Sequence, residues 1–230
     1  PRETGLLGTS RNFSLSDVYE DRDGNLWFGL SWGGEIIRFT PSNAASPESW
    51  QLFDANDGLV LGDRPIITQT SDGAIWTVSN HTQQDINRYD GKTWTNFQMK
   101  SIGGSEIHTS ILETRDGTLW VGGHNGSLYA YRNDAWTMWN SKDTPLSQAR
   151  IIGLLETQDG ALWLGGLGQE VARLDLLTNR WTHYEDLNFQ CQTANGAQWF
   201  TTPDRKVVCF DPLSTPQWVE YGPEDGIIDA

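Results

Sequence analysis

Along this chain, apolar and polar residues alternate in runs of about five, each run ending at a Gly, Asn, Asp or Pro. "SILET" (110–114), "TLWVG" (118–122), "SLYAY" (127–131) and "AWTMW" (135–139) follow one another in this way. Alternation with period two, closed by turn residues, predicts half-buried β-strands. No segment sustains a helical period, which excludes solenoids built from helices. The Asp-Gly at 116–117 between the first two runs is a strong hairpin signal. In the tight turn it predicts, both central residues take positive φ.

The same order recurs. "RDGNLWFGL" from Arg22, "SDGAIWTVS" from Ser71, "RDGTLWVGG" from Arg115, "QDGALWLGG" from Gln158 and the worn "ANGAQWFTT" from Ala194 share one plan. Gly24, Gly73, Gly117, Gly160 and Gly196 are spaced by 49, 44, 43 and 36 residues, and a tryptophan follows each by three: Trp27, Trp76, Trp120, Trp163 and Trp199. A second marker keeps the same beat: WQLF from Trp50, WTNF from Trp94, WTMW from Trp136, WTHY from Trp181 and WVEY from Trp218. A glycine phrase repeated five times is architecture and not a phosphate loop. Four antiparallel strands per forty-odd residues specify an all-β fold, a β-propeller of four-stranded antiparallel blades with five repeats in this chain. The expected blades are 5–53, 58–97, 101–139, 146–184 and 187–221 within one domain, 1–230.

Composition sharpens this picture. Of 12 tryptophans, ten sit at marker positions, so their expected work is packing one blade on the next. Trp139 closes its own unit, which leaves Trp32 as the one extra. A net charge of −14 argues against nucleic acid and against an anionic membrane surface. No apolar run approaches the roughly 18 residues that span a bilayer. The chain opens on Pro1 and shows no signal peptide, as expected of an excised or processed piece. Cys191 and Cys209 fall on the first and third strands of one blade. A full strand between them puts them about 9–10 Å apart, so two free thiols are expected.

"EDRDGNLWFGLSWGGEIIRF" (20–39), "ETRDGTLWVGGHNGSLYAY" (113–131) and "DGKTWTNF" (90–97) resemble the two-component regulator propeller repeat. The fifth unit departs from that pattern: Thr201 replaces a glycine, and Gln190 and Gln198 stand where other units have Val, Ile or Leu. The resemblance implies a periplasmic or extracellular sensor propeller of bacterial two-component systems. It also implies arrays of more than five blades. "TGLLG" (4–8) and "EDGIIDA" (224–230) both resemble the inter-blade link "NDGLVLG" (56–62), in keeping with such an array; a five-bladed ring or an open five-blade piece is the expectation for this chain itself.

Ligands of a propeller are expected at the end opposite the Asp-Gly turns, where the units differ in sequence. The second-to-third-strand loops are 31–34, 79–84, 123–126, 167–170 and 202–205. With the inter-blade links they supply the candidate ligand-binding residues Arg11, Trp32, Asp63, Arg64, His81, His108, His124, Arg150 and Arg205. Basic and imidazole groups gathered in an acidic protein invite an anionic or hydroxyl-rich ligand, such as an oligosaccharide. A protein partner is the other expected ligand class. Glu20, Glu113 and Glu156 recur just before their turns, with Gln69 and Gln192 in the same place, so they read as structural and not as a glycosidase pair. "DRDGN" (21–25) lacks the distal acid of a calcium loop. No catalytic set, metal or cofactor is expected. The competing readings are a propeller lyase or hydrolase using loop histidines, and a purely structural interaction propeller.

Overall fold

Each glycine-containing turn closes a hairpin, and all five do so in the same way. In the second blade the Thr70 amide donates to the Ala74 carbonyl at 3.0 Å and the Gly73 amide to the Thr70 carbonyl at 2.9 Å; the other four turns repeat both bonds. The glycine alone takes left-handed backbone, with φ from +76° to +91°. This corrects the expectation of positive φ at both central positions. The turn is of type I with glycine at a following bulge position. The reason lies in the residue before glycine, whose carboxylate works inside the turn: Asp116 Oδ1 accepts from the Thr114 hydroxyl at 2.7 Å and from the Thr118 amide at 3.1 Å.

The computed structural model describes residues 14–31, 34–44, 46–60, 62–79, 85–98, 108–140, 142–146 and 149–227. The first sheet comprises β1 (Leu15–Glu20), β2 (Leu26–Leu30), β3 (Ile36–Phe39) and β4 (Trp50–Phe53). The second comprises β5 (Pro65–Gln69), β6 (Ile75–Ser79), β7 (Asp85–Tyr89) and β8 (Trp94–Gln98). The third follows with β9 (His108–Glu113), β10 (Leu119–Gly123), β11 (Leu128–Arg132) and β12 (Ala135–Trp139). In the fourth are β13 (Ile151–Glu156), β14 (Ala161–Gly166), β15 (Glu170–Asp175) and β16 (Arg180–Glu185). The fifth holds β17 (Asn188–Gln192), β18 (Gln198–Thr201), β19 (Val207–Phe210) and β20 (Trp218–Tyr221). Every sheet runs in chain order, four strands side by side. These are propeller blades, as the repeat predicts. Cys191 and Cys209 lie on β17 and β19 with β18 between them, and both thiols are free.

The chain divides into two compact units, Pro1–Ile111 and Leu112–Ala230, the boundary falling within β9. In the first unit, Trp27 packs with Ile67, Ile75, Tyr89 and Trp94 of the second blade. In the second unit, Trp120 joins Leu162, Leu164 and Leu174 of the fourth blade, and Trp163 joins Phe200 and Phe210 of the fifth. Trp27, Trp120 and Trp163 thus fill the spaces between blades, where removing apolar area from water stabilises most. The marker tryptophans also pack on the closing aromatics of their own blades, as in Trp163–Tyr184 at 5.5 Å and Trp76–Phe97 at 5.5 Å. Trp27 Nε1 is tied to Asp21, and Trp76 and Trp120 Nε1 to Thr70 and Thr114, at 2.7–3.1 Å. One side chain therefore couples turn, blade and neighbouring blade.

Candidate functional site

The two ends of a blade, roughly 17 Å apart along five-residue strands, differ in chemistry. At the Asp-Gly end the polar groups are consumed internally. Asp21 accepts from the amides of Asp23 and Asn25, from Asn25 Nδ2 and from Trp27 Nε1. A carboxylate so occupied is a turn element and not a calcium ligand. Burial pushes Asp72, Asp116 and Asp159 upward. Hydrogen bonds from Thr70, Thr114 and Thr157, with help from Arg88, Arg132 and Arg173, outweigh this and hold each below the usual carboxylate value.

The recurring glutamate also has its work here. Glu156 Oε2 accepts from the Arg115 amide at 2.7 Å while its other oxygen faces Arg115 Nε at 3.1 Å. Gln69 Oε1 accepts from the Arg22 amide in the same way, at 2.9 Å. Each arginine then reaches the next turn's carbonyls: Arg22 those of Thr70 and Ser71, Arg115 those of Thr157 and Gln158. Sequence reading identified the glutamates as structural but missed the arginines.

At the opposite end, the candidates of each unit are held by loop-to-loop bonds. In the first unit Asp63 is buried and its Oδ1 accepts from the Arg64 amide at 2.9 Å. The Ser79 hydroxyl, wholly buried, donates to the Asp63 carbonyl and accepts from the Gly62 amide, pinning the link to β6. Arg64 takes positive φ (+53°) and is exposed. His108 starts β9 and is completely buried, which places it in the sheet interior and away from a solvent-facing site.

In the second unit, His124 opens the short turn between β10 and β11, and Arg150 immediately precedes β13. The Gly126 amide donates to the Ala149 carbonyl at 2.6 Å, and the Thr144 hydroxyl donates to the Gly126 carbonyl at 2.8 Å. Gly126 has φ +71°, and a Cβ there would overlap the Leu146 carbonyl, so glycine is required for this approach. The Leu167 amide donates to the Arg150 carbonyl at 2.8 Å, and the Leu187 amide to the Gln169 carbonyl at 3.1 Å. A bonded chain of loops thus carries His124 and Arg150, both half-buried, on neighbouring segments. Arg205, with φ +63°, is exposed in the β18–β19 turn. Arg11, Trp32 and His81 lie outside the described residues.

Sequence reading did not foresee a groove of about 710 Å³ beside β16, β19 and β20. Glu185, Asp186, Asp204 and Glu220 line it, and Tyr184 and Trp218 back it. Its Lys206 is bound to Glu220 and, at 3.2 Å, to Asp204; these bonds raise the ammonium pKa. The groove is assembled from β16 of one blade and β19 and β20 of the next, so no single local motif marks it. Among the described residues, no cluster of three His, Cys, Asp or Glu side chains is placed to hold a metal ion. Nor is any helix among them long and apolar enough to cross a membrane.

Residues 8–32 and 101–125 match the family described as "Two component regulator propeller". No curated protein sequence matches the chain. Among solved structures, virginiamycin B lyase from Staphylococcus aureus is 18% identical with a TM-score of 0.66, the match covering 89% of this chain and 68% of the lyase. The extracellular domain of a protein described as a hybrid two component system from B. thetaiotaomicron is 13% identical with a TM-score of 0.66, covering 95% of this chain and 30% of that one. The structure of YCF48 bound to D1 peptide is 15% identical with a TM-score of 0.59, covering 94% and 69%. At these identities the likeness is one of fold. This chain spans about a third of the length of the extracellular domains of hybrid two component systems that it resembles.

Proposed function

We propose that this chain, which carries two component regulator propeller repeats, is a non-catalytic, ligand-binding sensor module working outside the cytoplasm, with a carbohydrate or similarly polar small molecule as its ligand. The observation that carries the reading is the unequal chemistry of the two blade ends. The Asp-Gly end spends its polar groups on turns and on clasps between blades. The opposite end presents Arg64 in one unit, and His124 and Arg150 in the other, on loops held by their own backbone bonds. Guanidinium and imidazole groups are donors suited to hydroxyl and carboxylate oxygens. Backbone-anchored loops hold such donors in place before the ligand arrives, which lowers the entropy lost on binding. The fold is shared with a lyase and with extracellular domains of two-component systems. The family match supports the sensor of the two.

Isothermal titration with neutral and acidic oligosaccharides tests the proposal. Arg150→Ala and His124→Ala are each expected to weaken the bound saccharide by about tenfold, the worth of one good charged hydrogen bond. Leu177→Ala, at an exposed turn, is expected to leave binding unchanged. Binding indifferent to both loop substitutions would move the site elsewhere. Turnover lost in His124→Ala would make the chain a lyase or hydrolase instead.

A further inference from the structure

Two short segments of the unit Leu112–Ala230 stand beside each other at the loop end: 185–187, which leads from β16 to β17, and 202–206, which leads from β18 to β19. The groove of about 710 Å³ lies between them, within the roughly 300–1,000 Å³ of small-molecule sites. Both of its walls, from the fourth and the fifth blade, belong to that one unit.

The back of the groove is aromatic. Tyr184 and Trp218 line it with ring centroids 5.1 Å apart, and Phe210 at 4.6 Å and Phe200 at 5.8 Å hold Trp218 from within the fifth blade. Both lining rings are half-buried. The rim is acidic. Lys206 is already engaged by Glu220 and Asp204, and His183 lies 3.8 Å from Glu170. Glu185 and Asp186 make no hydrogen bond or ion pair among the described residues. Four lining carboxylates against one ammonium leave the groove negative. Its walls are also fixed before any ligand arrives. The Leu187 amide donates to the Gln169 carbonyl at 3.1 Å, the Thr202 amide to the Lys206 carbonyl at 3.1 Å, and the Thr202 hydroxyl to Asp204.

We infer that this groove binds a small organic cation, an ammonium-bearing molecule whose charge is taken by Glu185 and Asp186 and whose body lies against Trp218. An aromatic wall attracts a cation by its ring face and packs the carbon body that carries it, while carboxylates accept from the ammonium hydrogens. A bare metal ion would use neither the rings nor the width of the groove. A neutral sugar would use the rings and leave the carboxylates idle. Polyamines and amino sugars share the required chemistry. The groove does not contain Arg64, His124 or Arg150, and the inference does not rest on the loop site proposed for them.

Isothermal titration with spermidine, with chitotriose under conditions that protonate its amines, and with fully N-acetylated chitotriose tests it. At least one of the two cations is expected to bind saturably, and the acetylated sugar at least tenfold more weakly than chitotriose if chitotriose is the one that binds. Tighter binding of chitotriose assigns an amino sugar; tighter binding of spermidine assigns a polyamine. The double variant Glu185→Gln, Asp186→Asn is expected to weaken the bound cation about tenfold; asparagine tolerates the left-handed backbone of Asp186, φ +60°, so the link keeps its shape. Lys206→Gln should act in the opposite sense, tightening the cation about threefold or more, because it releases Asp204 and Glu220. A gain of affinity cannot come from lost folding. No binding of either cation, equal affinity for the acetylated sugar, or affinity unmoved by both the double variant and Lys206→Gln would each overturn the inference.

Discussion

Gln198 occupies the position that Ile75 and Leu162 fill in other blades, and it is wholly buried. Its amide nitrogen donates to the Gly196 carbonyl, while no hydrogen-bond partner for Oε1 lies among the described residues. A buried acceptor left unsatisfied costs about 1–3 kcal/mol, whereas replacing it with an apolar side chain of similar shape is neutral or favourable. Gln198→Leu is therefore expected to raise stability by about 1 kcal/mol, read as a higher urea midpoint at unchanged slope; a lowered midpoint would contradict this. The sequence marks Gln198 as a departure from the pattern. It cannot show the orphaned oxygen, which depends on what surrounds the residue. The turn aspartates are a second case. Asp-Gly foretells a hairpin, but the backbone conformation of the aspartate follows from bonds its carboxylate makes to Thr114 and Thr118, or to their counterparts.

At the scale of elements, the turns work as clasps between blades. Arg115 joins the carbonyls of Thr157 and Gln158 to Glu156. Its side chain is 60% exposed, so solvent screening leaves the clasp worth about 1 kcal/mol. Arg115→Ala is expected to destabilise by about that amount. Arg115→Lys should recover less than half of it, because an ammonium lacks the planar fork that reaches several oxygens. Full recovery by lysine, measured by urea unfolding, would reduce the clasp to a simple charge pair. The turns also contribute to the pH dependence of stability. Asp72, Asp116 and Asp159 have folded pKa values below those of the unfolded chain. Their contribution is thus complete above the ordinary carboxylate pKa and is lost as pH falls through the lowered values. The triple Asp→Asn variant at these positions should show a flatter dependence of stability on pH between about 5 and 3. An unchanged slope would assign acid sensitivity to other carboxylates. The fifth blade already has Asn195 at this place, with the same bond from Thr193. Strand order was legible because alternation and turn residues are local signals. The clasps were not, since their acceptors are main-chain carbonyls about forty residues downstream.

At the scale of the molecule, two periodic markers made the fold readable and the irregular loops kept the ligand hidden. Propeller blades need the same tryptophan in every unit, so repetition reports packing. A binding site needs residues that differ between units, and these leave no period to read. Arg64, His124 and Arg150 stand on anchored segments, whereas His108 is buried at the start of β9. Ligand binding without chemistry is the property proposed for the whole molecule. Tryptophan fluorescence titrated with neutral and acidic oligosaccharides, followed by mass spectrometry of the recovered sugar, tests it most directly. Saturable quenching with the saccharide returned intact is the predicted result; a shortened or eliminated product, or no response to any saccharide, would contradict it.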